Sequence, residues 1–252
     1  MVHEKPFCLL AEGFLFYCLT ATLVWQGHDT NGGIFMKAFI YDMDGVIADT
    51  EPVHLQAEQR VLEKMGVKGV TLEFLMRYQG MTDLMMFEDM KKRFGFRHSA
   101  EQAAKAKVYL FNKIIHEQHV TPIAGSLELI RATNELRQSQ GLKTAIASSS
   151  SDDFIAFVVD DLGIRDHFDL LMSGTNLPES KPNPAIYLQT AAYLRVDPRD
   201  CVVVEDATNG ALAAKTAGMT CIGFKSPHSP HQDLSICDRI VDSLESIDLS
   251  SF

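Results

Sequence analysis

The sequence predicts an α/β fold, a Rossmann-like parallel sheet core with an all-helical cap inserted after its first strand. Short continuous apolar runs alternate with helical patterns from residue 126 onward, and residues 53–119 hold amphipathic periodicity with no convincing strand. Three of the apolar runs also end in clusters of polar residues. Continuous apolar strands separated by helices imply a parallel sheet covered on both faces, and such sheets bind ligands beyond the carboxyl ends of their strands.

The first 35 residues stand apart as an N-terminal extension. "PFCLLAEGFLFYCLTATLVW" (6–25) is the one membrane-like run, and Glu12 and Gly13 interrupt it. It reads as a signal or anchor, as an extra helix, or as translation upstream of the true start. The last is preferred, with Met36 as first residue. Codons for Gly32-Gly33 would sit where a ribosome-binding sequence lies, and a strand pattern begins at once with "MKAFIYDMDG". No small-residue cleavage site supports a signal peptide.

"KAFIYD" (37–42) is a short apolar run ending in polar residues, as a buried strand does. Residues 36–52 and 121–252 form the expected core and 53–120 the cap. Within the cap, "VHLQAEQRVLEKMG", "TLEFLMRYQG", "TDLMMFEDMKKRFGF" and "SAEQAAKAKVYLFNKIIHEQH" read as helices. Gly66, Gly80 and Gly95 punctuate them, and Thr71, Thr82 and Ser99 are candidate N-caps. The methionines of "MTDLMMFEDM" are expected in the helix core, and His98, His116 and His119 at the surface.

After "TPIAG" (121–125) the elements alternate. "SLELIRATNELRQSQG" is a helix, "KTAIASSS" a strand, "SDDFIAFVVDDLG" a helix and "FDLLMSG" a strand. "NPAIYLQTAAYLR" is a helix, "CVVVED" a strand, "TNGALAAKTAG" a helix and "TCIGF" a strand. "RIVDSLESI" (239–247) supplies an edge strand and a closing helix.

Composition narrows the function. Against 33 Asp+Glu there are 23 Lys+Arg, for a net charge of −10, and no basic run exceeds "KKR" at 91–93. A phosphate backbone is held by clustered cations, so nucleic acid is not an expected partner. The five cysteines form no CxxC pair and no metal spacing, which suits buried thiols in a reducing cytoplasm.

The chemistry gathers at the strand ends "YDMDG", "SSS" and "VEDATNG". Asp42, Asp44, Glu205 and Asp206 bring carboxylates into one crevice, an arrangement that calls for a hard divalent cation such as Mg²⁺. Alone, Asp44-Gly45 would signal only a turn, and Ser150 or Ser151 only an N-cap. Asp42 and Asp44 lie two residues apart at a strand end, so both face the same site.

Together, "DMDGVIADTEP", "IASSSS", "SKPNPAIY" and "VVVEDATNGALAAKTAGM" resemble the four motifs of the haloacid dehalogenase superfamily, in order over 36–225. The position of the helical insert is similar to that of the C1-capped subgroup, and the motifs are similar to its β-phosphoglucomutase and sugar-phosphatase branch. The resemblance implies that Asp42 is the nucleophile, forming an aspartyl-phosphate, and that Asp44 is the general acid and base. Ser148, with Ser149 beside it, and Lys181 would hold the phosphoryl group. Asp42, the Asp44 carbonyl and Asp206, with Glu205 assisting, would hold Mg²⁺, with Asn209-Gly210 at a helix start nearby. His54 would sit at the hinge or near the leaving group.

Selectivity is expected in the cap, around "RYQGMTD" (77–83) and "KAKVY" (105–109). Where the mutases carry an Arg that grips a second phosphate, this chain has Asp83, which would repel one. Lys105 or Lys107 would supply cation contacts. The expected function is a Mg²⁺-dependent phosphomonoesterase of a small phosphorylated metabolite, a sugar phosphate, acting as a monomer in the cytoplasm without a membrane partner. β-Phosphoglucomutase is the alternative enzyme, and a non-catalytic phosphometabolite-binding or membrane-tethered protein the alternative of another class.

Overall fold

The computed structural model describes residues 36–78, 81–228 and 231–252. The readings of residues 1–35, and Cys8 and Cys18 with them, lie outside the described residues.

Six strands form one parallel sheet: β1 (Ala38–Tyr41), β2 (Lys143–Ser148), β3 (Leu170–Ser173), β4 (Cys201–Glu205), β5 (Thr220–Phe224) and β6 (Arg239–Val241). Their order is β3-β2-β1-β4-β5-β6, so β1 is central and pairs with both β2 and β4. That position explains its unbroken apolar run, since every one of its residues is buried. Side-chain alternation divides the two faces. Phe39 and Tyr41 enter one core, while Ala38 and Ile40 enter the other together with Val203 and Cys221. Burying a side chain of this size contributes about 1.5–3 kcal/mol, so a polar substitution at Phe39 would cost the sheet its centre.

The helices are α1 (Glu51–Lys64), α2 (Leu72–Leu75), α3 (Asp83–Phe94), α4 (Ala100–Gln118), α5 (Ser126–Gln140), α6 (Asp152–Asp161), α7 (Ala185–Leu194) and α8 (Thr208–Thr216). The first four follow β1 without an intervening strand among the described residues, and α4 packs against both α1 and α3. Their starts are capped as the sequence predicts. Thr71 accepts from the Phe74 N–H, Thr82 accepts from the Met85 N–H, and Ser99 and Gln102 form a reciprocal capping box. Gly95 closes α3 in the left-handed conformation. Ser151 opens α6 by accepting from the Phe154 N–H.

The two connectors that join this helical stretch to the sheet lie side by side. Asp49 N–H donates to the Thr121 carbonyl at 2.8 Å, Ile123 N–H to the Ile47 carbonyl at 2.9 Å, and Ala48 pairs with Pro122 between them.

Some expectations are corrected. The helix expected over 71–80 is only α2 followed by a 3-10 turn at Met76–Tyr78; Gln79 and Gly80 lie outside the described residues. The closing helix after β6 is a pair of 3-10 turns, Leu244–Ser246 and Leu249–Ser251, because Ser243 and Asp248 cap successive short segments. Met86 and Met90 are core, but Met81 and Met85 are exposed. The three surface histidines are exposed. Among the described residues no helix is long and apolar enough to cross a membrane.

Candidate active site

The strand ends converge as the topology requires. β1 ends by donating the Asp42 N–H to the Val204 carbonyl of β4, which fixes the Asp42 carboxylate beside the end of β4. Gly45 then turns the chain at φ +86°, in the left-handed region. A Cβ at Gly45 would stand 2.1 Å from the Asp206 carboxylate, so glycine is what lets the turn approach that group. Gly210, in the first turn of α8, does the same for Glu205: a Cβ there would stand 1.8 Å from its Oε1.

Lys181 is the pivot. Its Nζ donates to Asp42 Oδ1 at 2.6 Å, to Glu205 Oε1 at 2.7 Å and to the Ala147 carbonyl at 3.0 Å. Glu205 is enclosed further, accepting from Tyr187 Oη at 2.5 Å on Oε1 and from the Ala207 N–H on Oε2. Asp44 is held separately. Its Oδ1 accepts from Thr50 Oγ1 at 2.8 Å, and its Oδ2 from Ser150 Oγ at 2.9 Å and Ser148 Oγ at 3.3 Å. The cleft above them, about 320 Å³, is lined by Asp42, Asp44, Ser149, Lys181, Asp206 and Asn209 among others.

Electrostatics at the cleft favour a cation. Burial, reinforced by Glu205 and Asp44 and opposed by Lys181, pushes the Asp42 carboxyl up to about 7. Burial would lower Lys181, but Asp42 and Glu205 outweigh it and hold the ammonium charged well above its ordinary range. One lysine thus faces a surplus of carboxylates. Asp42, Glu205 and Asp206 each offer a buried oxygen within 4.8 Å of the others, a hard donor set that could hold a divalent cation such as Mg²⁺, whose charge would relieve that surplus. Both Glu205 oxygens also accept hydrogen bonds, Oε1 from Lys181 and Tyr187 and Oε2 from the Ala207 N–H.

The remaining predicted residues separate into two places. Ser148 is fully buried behind the cleft, where its Oγ also accepts from the Ser150 N–H; Ser149 is the serine at the cleft surface. His54, Asp83 and Lys107 meet in a second, smaller cavity of about 190 Å³ within the helical stretch, with Glu51, Glu58 and Tyr78. There Lys107 Nζ lies 2.8 Å from Asp83 Oδ1 and 4.0 Å from Glu58 Oε1. His54 stacks on Phe111 at 4.1 Å, its Nδ1 buried with no hydrogen-bond partner. Burial, with Lys107 adding, drives the imidazole down to about 3, so it is neutral. Lys105 is exposed and does not join this cluster.

Thr50 and Tyr187 are not singled out by sequence, and Ser150 is read there only as an alternative N-cap to Ser151, whereas Ser151 caps α6 and the Ser150 hydroxyl donates to Asp44. Thr50 occupies the N-cap of α1 yet makes no side-chain cap bond, because its hydroxyl is committed to Asp44. Tyr187 stands six residues after Lys181 inside "SKPNPAIY", and an aromatic hydroxyl there was the available signal.

Residues 39–224, which contain every group of this cleft, match the model of the haloacid dehalogenase-like hydrolases. The chain belongs to that family. Among its relatives, this hydrolase is 33% identical over 192 residues to hexitol phosphatase B of Escherichia coli (strain K12), covering 76% of this chain and 85% of that protein. It is 32% identical over 196 residues to the β-phosphoglucomutase of Bacillus subtilis (strain 168), covering 75% and 83%. The crystal structure of a point mutant of CbbY from Rhodobacter sphaeroides in complex with xylulose-1,5-bisphosphate superposes with a TM-score of 0.67 at 25% identity, covering 84% of this chain and 96% of that one.

Proposed function

We propose that this hydrolase is a phosphomonoesterase of small phosphorylated sugars or related polyols, with Asp42 as nucleophile. The observation that carries the reading is the separation of two carboxylates two residues apart. Asp42 is bound to Lys181 at 2.6 Å, while Asp44 accepts from the hydroxyls of Thr50, Ser148 and Ser150. The ammonium opposes the burial that raises Asp42 and so favours its charged, attacking form, while the hydroxyls hold Asp44 in place to exchange a proton.

In this reading Asp42 attacks phosphorus and forms an aspartyl-phosphate as Asp44 gives its proton to the leaving alkoxide. Asp44 then takes a proton from the water that cleaves the acyl phosphate. Thr50, Ser148 and Ser150 fix the direction of that carboxyl through both steps. Lys181, itself positioned by Glu205 and Tyr187, places a fixed charge against the phosphoryl oxygens as they load with negative charge. Ser149 lines the same cleft and adds a hydroxyl. Asp42 and Asp206, with Glu205 in support, would hold Mg²⁺, which when bound would supply further positive charge beside the transferring group.

Residues 53–120 act as a cap that reads the leaving group, through the cavity lined by His54, Asp83 and Lys107. The mutase alternative requires that cavity to hold a second phosphate. Here the Lys107 charge is already balanced by Asp83 at 2.8 Å, with Glu58 and Glu51 close by, which favours an uncharged polyhydroxyl group instead. The relatives named for hexitol and sugar phosphates support the substrate class.

The test is phosphate release from a panel of sugar and polyol monophosphates with Mg²⁺, run beside conversion of β-glucose 1-phosphate to glucose 6-phosphate. Phosphate release abolished by EDTA and by Asp42→Asn supports the proposal. Isomerisation without net phosphate release refutes it in favour of the mutase.

A further inference from the structure

The segment 231–238 leads into β6, which pairs with β5 on the side away from β4. It carries a cysteine back against a cysteine of β5: Cys221 Sγ and Cys237 Sγ lie 3.6 Å apart, both as free thiols. Cys221 is fully buried, whereas Cys237 is half-buried. Their backbones are pinned from both sides. Asp238 N–H donates to the Cys221 carbonyl at 2.9 Å, Cys221 N–H to Asp238 Oδ2 at 2.8 Å, and Lys215 of α8 holds the same carboxylate at 2.6 Å. Gly223 leaves the space the second sulfur occupies, since a Cβ there would lie 2.8 Å from Cys237 Sγ.

We infer that Cys221 and Cys237 form a reversible disulfide site, with Cys237 as the sulfur that meets the oxidant and Cys221 as the one that resolves it. The sulfurs need to close from 3.6 Å to about 2.05 Å between two backbone segments that the bonds above already hold together. With hydrogen peroxide as oxidant, the Cys237 thiol gives up its proton, the thiolate attacks one peroxide oxygen, the O–O bond breaks, and the hydroxide released takes up that proton, leaving a sulfenic acid and one water. Cys221 sulfur then attacks Cys237 sulfur, the S–S bond forms, and the S–O bond breaks with loss of a second water. Two thiols are oxidised and one peroxide is reduced.

The roles are unequal for a physical reason. The hydrogen bond from Cys221 draws the Cys237 thiol below its ordinary range, while the same bond and burial push Cys221 well above its own. Cys201 provides an internal contrast: it is buried, held at about 12 by that burial, and its Sγ donates to the Asp197 carbonyl.

The bond would also fix what the segment grips. Thr208 N–H, at the start of α8, donates to Gln232 Oε1 at 2.9 Å, and Asp233 N–H donates to Thr208 Oγ1 at 2.7 Å. The next two residues of α8, Asn209 and Gly210, line the catalytic cleft. Oxidation therefore ties the wall of the cleft to the sheet.

The experiment treats the full chain with a small excess of hydrogen peroxide, blocks remaining thiols under denaturing conditions, and maps the peptides by mass spectrometry. The expected product is a Cys221–Cys237 linked peptide with Cys201 still alkylated, a rise in Tm of several degrees, and reversal of both by dithiothreitol. Cys237→Ser, at the less buried position, is expected to abolish both the link and the Tm shift while Cys221 stays alkylatable. Cys237 recovered as sulfinic acid with Cys221 free overturns the inference. So does a link joining either sulfur to another cysteine, or a Tm shift that persists in Cys237→Ser.

Discussion

Glu58 is a carboxylate of α1 buried to 8% exposure, and the cavity around it contains His54, Glu51, Asp83 and Lys107. Burial is the larger influence on it, reinforced by Glu51 and Asp83 and only partly offset by Lys107, and it is pushed from 4.5 up to about 8. Between those values the folded protein keeps a proton that the unfolded chain has released. Stability contributed by this group is therefore full below about pH 4.5 and is lost as pH rises through about 8. At about 1.36 kcal/mol per unit, the loss between pH 5 and pH 9 comes to about 4 kcal/mol. That is a large share of the roughly 5–15 kcal/mol available to a folded protein. Glu58→Gln removes the titration while preserving shape. Urea unfolding of both proteins at intervals from pH 5 to pH 9 gives the two curves, and the wild type should fall more steeply by about 4 kcal/mol. Curves that run parallel across that range would refute the account of Glu58 as a buried acid held neutral by its surroundings.

Four shorter predictions follow from the two cavities. Asp42→Asn should lower kcat by at least about a thousandfold in a phosphate-release assay while leaving the circular dichroism spectrum unchanged, since it removes the attacking oxygen's charge without altering shape. Thr50→Val should cost about ten- to a hundredfold in kcat with little change in KM, because it frees one side of Asp44; an unchanged kcat would mean that the serines alone orient it. Asp83→Asn should unmask Lys107 and raise kcat/KM for substrates bearing a second phosphate by about tenfold relative to monophosphates. Gly210→Ala should lower Tm by several degrees and kcat with it, because its Cβ would meet the Glu205 carboxylate that positions Lys181.

Much of this molecule is legible in one dimension. The strands announce themselves because a sheet covered on both faces needs unbroken apolar runs, and their ends are conspicuous because carboxylates there have no structural purpose. Hence Asp42, Asp44, Lys181, Glu205 and Asp206 were all found at one cleft. Lys107 and Lys105 show where legibility stops and why. On α4 the buried positions Ala103, Lys107, Leu110 and Ile114 follow helical spacing, which places Lys107 on the inward stripe and Lys105 off it. The periodicity contained the answer, but lysines read by charge alone looked equivalent. Ser148 and Ser149 are separated by the end of β2: the first is its last, buried residue, and the second lies just beyond the strand at the cleft. Thr50, Tyr187 and the Cys221–Cys237 pair depend on contacts between distant segments or on a hydroxyl diverted from its usual local bond, and no spacing rule encodes those.

The side-by-side connectors have a mechanical consequence. Because Ala48 and Pro122 are paired and flanked by two cross-links, α1 to α4 are carried on a double-stranded strap rather than on two independent tethers. Such a strap fixes the entry to α1 and the exit from α4 against each other, so the two ends of the helical stretch share one anchorage on the sheet. Thr50 follows directly after that strap, and its hydroxyl donates to Asp44. The placement of the Asp44 carboxyl is therefore set in part by the segment that leads into the helices, and not by the sheet alone.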